Sequence, residues 1–176
     1  PSLLTMPHLI EDLFKLSKKN IKSYFKYKKK KIICNYFYED GTSFSAPSNK
    51  IHFAKKASEI FDVTENEITN YFEKSKNKYD LTKSVFLENS LHKYQNYFSK
   101  DALKAILNYS SLDINKSLSS LNEKTFKDKR LVQYFNRFST YNGSSPYKTP
   151  GIMSIIPHLE HHYGAFFPEG GMNEIS

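Results

Sequence analysis

The chain has 176 residues, 39% apolar and 25% charged, proportions ordinary for one globular domain with a core of its own. Its formal net charge of +8 is almost all lysine, since Arg130 and Arg137 are the only arginines. The single cysteine, Cys34, excludes an intrachain disulfide and a cysteine metal cluster, and no apolar run approaches the ~18 residues of a spanning helix.

Pro7 to Ile21 is predicted helical: Leu9, Ile10, Leu13, Phe14, Leu16 and Ile21 recur near helical spacing, and Lys15, Lys18, Lys19 and Lys22 take the other face. From Lys18 to Lys31 the chain is basic, with Tyr24, Phe25 and Tyr27 interleaved. Such a stretch is either a solvated helix face followed by a charged edge strand, or a surface for a membrane or a nucleic acid. The scarcity of arginine weighs against nucleic acid, whose base edges are read chiefly by bidentate guanidinium groups.

Ile32 to Tyr38 is β-branched and aromatic and reads as a strand. Glu39-Asp40-Gly41-Thr42 is a turn, because Asp-Gly tolerates positive φ, and Ser43 to Ala46 is the return strand. Cys34, inside an apolar-aromatic run, is expected to be a buried, inert thiol. The terminal strand Ala165 to Phe167 is expected to join the same sheet, since a lone hairpin is marginal.

Helical signal resumes at Asn49, with Ile51, Phe53, Ala54, Ala57, Ile60 and Phe61 as the apolar face. Thr64-Glu65-Asn66-Glu67 is a capping box opening a helix through Ile68, Tyr71, Phe72 and Tyr79, with a break expected near Asp80. Further helices are read over Lys83 to Leu91, Lys100 to Tyr109 (capped by Ser99), Ile114 to Leu121 (capped by Asp113) and Lys127 to Tyr141. Pro150 to His161 is a last helix, kinked or split at Pro157. The predicted fold class is α+β, mostly helical with a small antiparallel sheet.

The six glycines form neither Gly-x-Gly-x-x-Gly nor a P-loop, so no dinucleotide-binding turn is visible. His158 and His162 share a helix face at metal-ligand spacing, but the pattern is not His-Glu-x-x-His and lacks an obvious third ligand. Surface histidines at a helix end are the plainer reading. No nucleophile elbow surrounds Ser144 or Ser145. The segment Tyr141, Asn142, Gly143, Ser144, Ser145, Pro146, Tyr147 breaks a helix between two tyrosines. It is a plain connection or a pocket-lining loop, and residue chemistry alone does not choose.

A resemblance does choose. Arg130 to Thr140 followed by Tyr141 to Pro146 resembles the carotenoid (phytoene) desaturase pattern, in which a helix ends in aromatic-x-Thr-Tyr-x-Gly-Ser-Ser-Pro. Pro150 to Glu160 is similar to the helix that follows there, and Gly164 to Met172 to that family's Gly-x-aromatic-Pro-x-Gly-Gly-Met. Pro1 to Thr5 and Glu39 to Thr42 resemble the start of the same domain, whereas 48–126 matches in helical character only. The wording Tyr-Asn-Gly-Ser-Ser-Pro looks closest to the hydroxycarotenoid 3,4-desaturase branch.

The resemblance implies the substrate domain of a flavin-dependent, amine-oxidase-like enzyme, with 1–176 as a single substrate-binding domain. FAD would be bound by segments of the parent chain outside it, as Pro1 and the mid-chain character of Gly171 to Ser176 also lead one to expect. It implies a carotenoid as substrate, hydride transfer to the flavin, and a cytoplasmic site of work peripheral to a membrane. Tyr141 to Tyr147 would wall the substrate tunnel and Gly170 and Gly171 would lie at the junction with the FAD-binding part. No family motif assigns a catalytic acid or base.

Overall fold

The computed structural model describes residues 3–24, 26–86 and 99–175. Phe25 and the predicted helix beyond Phe86, as far as Leu91, therefore lie outside the described residues. The contacts divide the chain into two compact units, residues 1–56 with 159–176 and residues 57–158.

The first unit is built from both ends of the chain. Helix α1 (Pro7–Leu16) starts on Pro7, whose fixed φ and missing N–H suit a first helical position. It stops five residues before the predicted end. Lys18 takes a left-handed conformation, φ 55°; Lys19 N–H donates to Phe14 C=O at 2.9 Å and Lys18 N–H to Lys15 C=O at 3.0 Å. This is a Schellman stop with lysine where glycine is usual, and periodicity alone cannot announce it. Ile21 falls in a separate turn of 3₁₀ helix (Ile21–Ser23).

Strands β2 (Ile32–Phe37) and β3 (Ser43–Pro47) form the expected hairpin, with a register shift between Ile32 and Cys34. Gly41 supplies φ +81°, and Asp40 Oδ1 accepts from Thr42 N–H at 2.9 Å. The terminal strand does not join that hairpin. β4 (Phe166–Pro168) pairs antiparallel with β1 (Tyr27–Lys29), Lys28 opposite Phe167, and bridges to Leu4 on its other side. The lysine run thus holds a strand, and the described residues form two two-stranded sheets where one was expected. Phe44 and Ala46 on β3, Phe53 at the start of α2 (Lys50–Ile60), and Ala165 are fully buried. Phe53 meets Phe44 edge-on, ring centroids 5.4 Å apart. Ile51, read as part of the core face, is 73% exposed. Cys34 is half-buried where full burial was expected.

The second unit is helical. α3 (Glu65–Phe86) begins at the predicted capping box: Thr64 Oγ1 accepts from Glu67 N–H, and Glu67 Oε2 accepts from Thr64 N–H at 2.8 Å. No break occurs at Asp80, which pairs with Lys76 one turn back at 2.6 Å. α4 (Lys100–Leu107) is capped by Ser99 as expected. α5 (Leu118–Thr125) starts later than predicted and is capped by Ser117; Asp113, the expected cap, sits in a left-handed turn at φ 54°. α6 (Lys129–Asn136) is capped by Asp128. Near Pro157 the predicted helix splits into a 3₁₀ turn (Gly151–Ser154) and α7 (Ile155–His162). Pro157 falls in the first turn of α7, where its absent N–H costs little.

An aromatic cluster forms the core of this unit. Tyr71, Phe72, Phe126, Tyr134, Phe135 and Phe138 are all buried. Phe135 lies 4.4 Å from Tyr71 and stacks on Phe126 at 4.9 Å. Offset and edge-on aromatic pairs of this kind add about 0.5–1.5 kcal/mol beyond the area they bury.

Candidate functional site

The segment from Tyr141 to Tyr147 leads directly out of this core. α6 buries Leu131, Tyr134 and Phe135 and runs into a 3₁₀ stretch (Arg137–Asn142). There the Arg137 guanidinium lies 4.5 Å over the buried Phe138 ring. Gly143 ends the stretch at φ +63°, and its N–H donates to Thr140 C=O at 3.1 Å. Glycine adopts that φ without strain, and the space where a Cβ would stand is open.

Beyond Gly143 the backbone serves as a second cap for α5. Leu118 N–H donates to Thr149 C=O at 2.7 Å and Ser119 N–H to Pro146 C=O at 3.0 Å. Ser120 N–H is taken by Ser117 Oγ at 3.1 Å. The amides that a helix start leaves unpaired are therefore filled partly by carbonyls of the turn itself. Thr149 closes the turn from the other side, N–H and Oγ1 both donating to Ser145 C=O at 2.8 and 2.9 Å. The backbone is fixed while the outward side chains stay open. Tyr141 is 44% and Tyr147 72% exposed, Asn142, Gly143 and Ser145 are exposed, and Ser144 and Pro146 are half-buried.

Pro146 and Tyr147 form one wall of a cleft of about 700 Å³ whose other walls come from α5 and α6, among them Phe126, Val132, Glu123 and Asn136. Behind it runs a chain of side-chain hydrogen bonds that the sequence does not announce. Tyr71 Oη donates to Asn122 Oδ1 at 2.9 Å, Asn122 Nδ2 to Asn136 Oδ1 at 2.8 Å, Asn136 Nδ2 to Ser119 Oγ at 3.1 Å, and Ser119 Oγ to Glu123 Oε1 at 2.8 Å. Burial pushes the Tyr71 phenol far up, so its proton stays in place and the chain keeps one direction. Asn122 is fully buried; a buried amide satisfied on both ends fixes the relation of α3, α5 and α6 and so the floor of the cleft. Asparagine at 122 and 136 reads in sequence as ordinary helix surface, and only the spatial pairing gives it meaning.

The other predicted positions lie elsewhere. Gly170 and Gly171 follow β4 in a turn at φ +89° and +103°. A Cβ at Gly170 would come within 2.9 Å of Glu174, whereas at Gly171 the space is open. Of the histidines of the last helix, His158, read as a surface residue, is buried, and so is His161. His158 is 2% exposed with its ring 5.2 Å from Tyr79, and His161 is 6% exposed, 4.9 Å from Phe53 with Nδ1 3.2 Å from Ser48 C=O. Only His162 is exposed. Among the described residues no three His, Cys, Asp or Glu side chains gather in a metal-holding group. No helix among them is long and apolar enough to cross a membrane.

The chain is similar, along essentially its whole length, to proteins named as carotenoid desaturases and oxygenases, and it spans about a third of the length of those relatives. It is 54% identical over all 176 residues to 1-hydroxycarotenoid 3,4-desaturase of Flavobacterium sp. (strain P99-3), covering 36% of that protein. It is 28% identical to 4,4'-diapolycopene oxygenase of Methylomonas sp, with 98% of this chain and 34% of that one matched. To 4,4'-diaponeurosporene oxygenase of Staphylococcus aureus (strain USA300) it is 25% identical over its full length and 35% of that protein. No family model matches the chain. The resemblance carried by the two ends of the sequence thus extends through 48–126, where motifs were lacking.

Proposed function

We propose that residues 1–176 are the substrate-binding part of an FAD-dependent oxidoreductase that desaturates a carotenoid, with Tyr141 to Tyr147 walling the substrate site. The observation that carries the reading is the position of the most family-like segment. It is pinned to α5 through the Pro146 carbonyl, and its Pro146 and Tyr147 line a cleft together with Phe126 and Val132. A polyene is long, flat and apolar, and recognising it takes aromatic faces and a closely approaching backbone more than charge. Gly143, with open space at its Cβ position, permits that approach. The 54% identity to a 1-hydroxycarotenoid 3,4-desaturase supports a hydroxylated carotenoid as the substrate class.

The two glycines expected at the junction differ in the room they would leave for FAD. Gly171 presents open backbone at positive φ, while Gly170 faces the Glu174 side chain and no Gly-x-Gly-x-x-Gly turn is present in the sequence. The dinucleotide would be held by the rest of the parent chain, with Gly171 beside it at the junction. Bound there, the flavin would supply the acceptor for a hydride; the residues of this chain would position the polyene and exclude water.

A peripheral membrane position belongs to the same reading. α1 turns Leu9, Leu13 and Leu16 outward, 54%, 64% and 82% exposed, and Lys18, Lys19 and Lys22 come after it. Apolar side chains at one-turn spacing with lysines beside them suit the interface of an anionic bilayer, from which a carotenoid would be drawn.

The test is Tyr147→Ala in the intact parent enzyme. Tyr147 is exposed, so folding and flavin content should hold, while conversion of a 1-hydroxycarotenoid should fall about tenfold, the equivalent of ~1.4 kcal/mol of lost contact. Undiminished conversion would reduce the segment to a connector.

A further inference from the structure

A second cavity, of about 400 Å³, lies within residues 57–158 and shares no lining residue with the cleft. Four lysines line it: Lys74 and Lys78, one turn apart on α3, Lys116 on the turn before α5, and Lys124 on α5. Among the described residues that line it, Asp113 is the only carboxylate. Its two oxygens are both taken, Oδ2 by Lys78 Nζ at 2.8 Å and Oδ1 by Lys116 Nζ at 2.9 Å. Lys74 and Lys124 have no ion-pair partner among the described residues. Four positive charges thus face one negative charge.

The arrangement is built into the fold. Lys78 is 4% exposed, its Nζ donating to Ser154 Oγ at 2.8 Å as well as pairing with Asp113. A lysine ammonium has three N–H groups, and these two partners leave one over. Burial pushes the Lys78 ammonium down, and the neighbouring charges of Lys74 and Lys116 push the same way against Asp113. Burial pushes the Asp113 carboxyl up, but its bonds to Lys78 and Lys116 outweigh that and hold it below the usual range. Asp113 sits at φ 54°, and a Cβ on Gly151 would come within 2.9 Å of its carbonyl oxygen, so the turn is held tightly in place. Solvated surface lysines need none of this, and burying an ammonium is unfavourable unless its partners recover the lost hydration.

We propose that this cavity binds a phosphate ester, its phosphate held by Lys74, Lys78, Lys116 and Lys124 and its organic part lying against Tyr71 and Leu121. The three uncompensated positive charges suit a dianion better than a single carboxylate. The volume far exceeds that of a bare phosphate and falls in the range of small-molecule sites. The phosphate can come from a soluble metabolite or from a lipid headgroup.

Two probes separate the sources. The intact protein is titrated calorimetrically with glycerol 3-phosphate, with glycerol at matched ionic strength as the blank. Its binding to neutral vesicles doped with phosphatidate is compared with that to vesicles of equal charge doped with phosphatidylserine. The cavity predicts saturable binding of glycerol 3-phosphate, or a preference for phosphatidate, that falls at least tenfold in the Lys74→Gln/Lys124→Gln variant and not in Lys104→Gln/Lys148→Gln. Both pairs are exposed, so neither should disturb the fold. Heat with glycerol 3-phosphate assigns a soluble ligand; phosphatidate preference without such heat assigns a headgroup. Neither signal, or one that survives the Lys74 and Lys124 substitutions, overturns the proposal.

Discussion

Asp128 gathers four hydrogen bonds on one carboxylate. Oδ1 accepts from Arg130 N–H at 2.8 Å and Nε at 3.1 Å, and Oδ2 from an Arg130 terminal nitrogen at 2.6 Å and from Asp62 N–H at 3.2 Å. The Arg130 side chain, first among these, holds the carboxyl down from the ordinary 3.8 to about 2, against the opposing effect of burial. A group whose folded pKa is depressed stabilises the fold above its unfolded pKa and loses that contribution as pH falls through the folded one. Allowing for solvent screening, the contribution is on the order of 1 kcal/mol. Asp128→Ala should therefore destabilise the protein by about 1–2 kcal/mol at pH 7, the helix cap included. Urea titrations should show the gap between wild type and variant narrowing from pH 4 to pH 2; a constant gap would refute the assignment. Such residue-level detail was partly legible. Ser99 and the Thr64–Glu67 box announce themselves by spacing. Asp113 was misread because an aspartate before a helix looks like a cap whether or not its backbone has turned left-handed.

At the scale of elements, α1 offers two tests. Its stop rests on Lys18 at φ 55°, a conformation that costs a lysine about 1 kcal/mol and glycine little. Lys18→Gly should raise stability by roughly that amount, seen as a melting temperature a few degrees higher; a lower one would mean that the lysine side chain, not the backbone, holds the stop. The outward leucines predict a separate effect. Leu13→Glu should leave the melting temperature nearly unchanged, because Leu13 is 64% exposed, but should abolish sedimentation with anionic vesicles. Equal sedimentation of both forms would remove α1 from the membrane. Most helices and the β2–β3 hairpin were readable because periodicity, caps and an Asp-Gly turn are local signals. The partner of β4 was not. Tyr27–Lys29 is three residues of mostly lysine, and what makes it a strand is its pairing with Phe166–Pro168 at the far end of the chain. The Lys29 and Lys30 side chains lie over the rings of Phe166 and Phe167 at 5.8 and 5.1 Å, a cross-strand contact invisible along the sequence.

For the molecule as a whole, the same pairing makes the first unit discontinuous: its β1–β4 sheet closes only when both of its segments are in place, with residues 57–158 intervening. The candidate site is only half legible for a related reason. The Tyr141–Tyr147 turn stands out by composition, but the Asn122–Asn136 relay and the cleft exist only once α3, α5 and α6 have packed. That packing leaves a reporter in the backbone. Leu118 and Ser119 give their amide hydrogens to the carbonyls of Thr149 and Pro146, so these two hydrogens exchange with solvent only when the turn lifts. In hydrogen–deuterium exchange on the intact enzyme, a carotenoid that seats against the turn should slow exchange at Leu118 and Ser119 while leaving Ala102, whose amide hydrogen goes to Ser99, unchanged. Exchange at all three amides unaffected by carotenoid would mean that the polyene lies elsewhere. The start of α5 thus records the occupancy of a cleft that neither of those two residues lines.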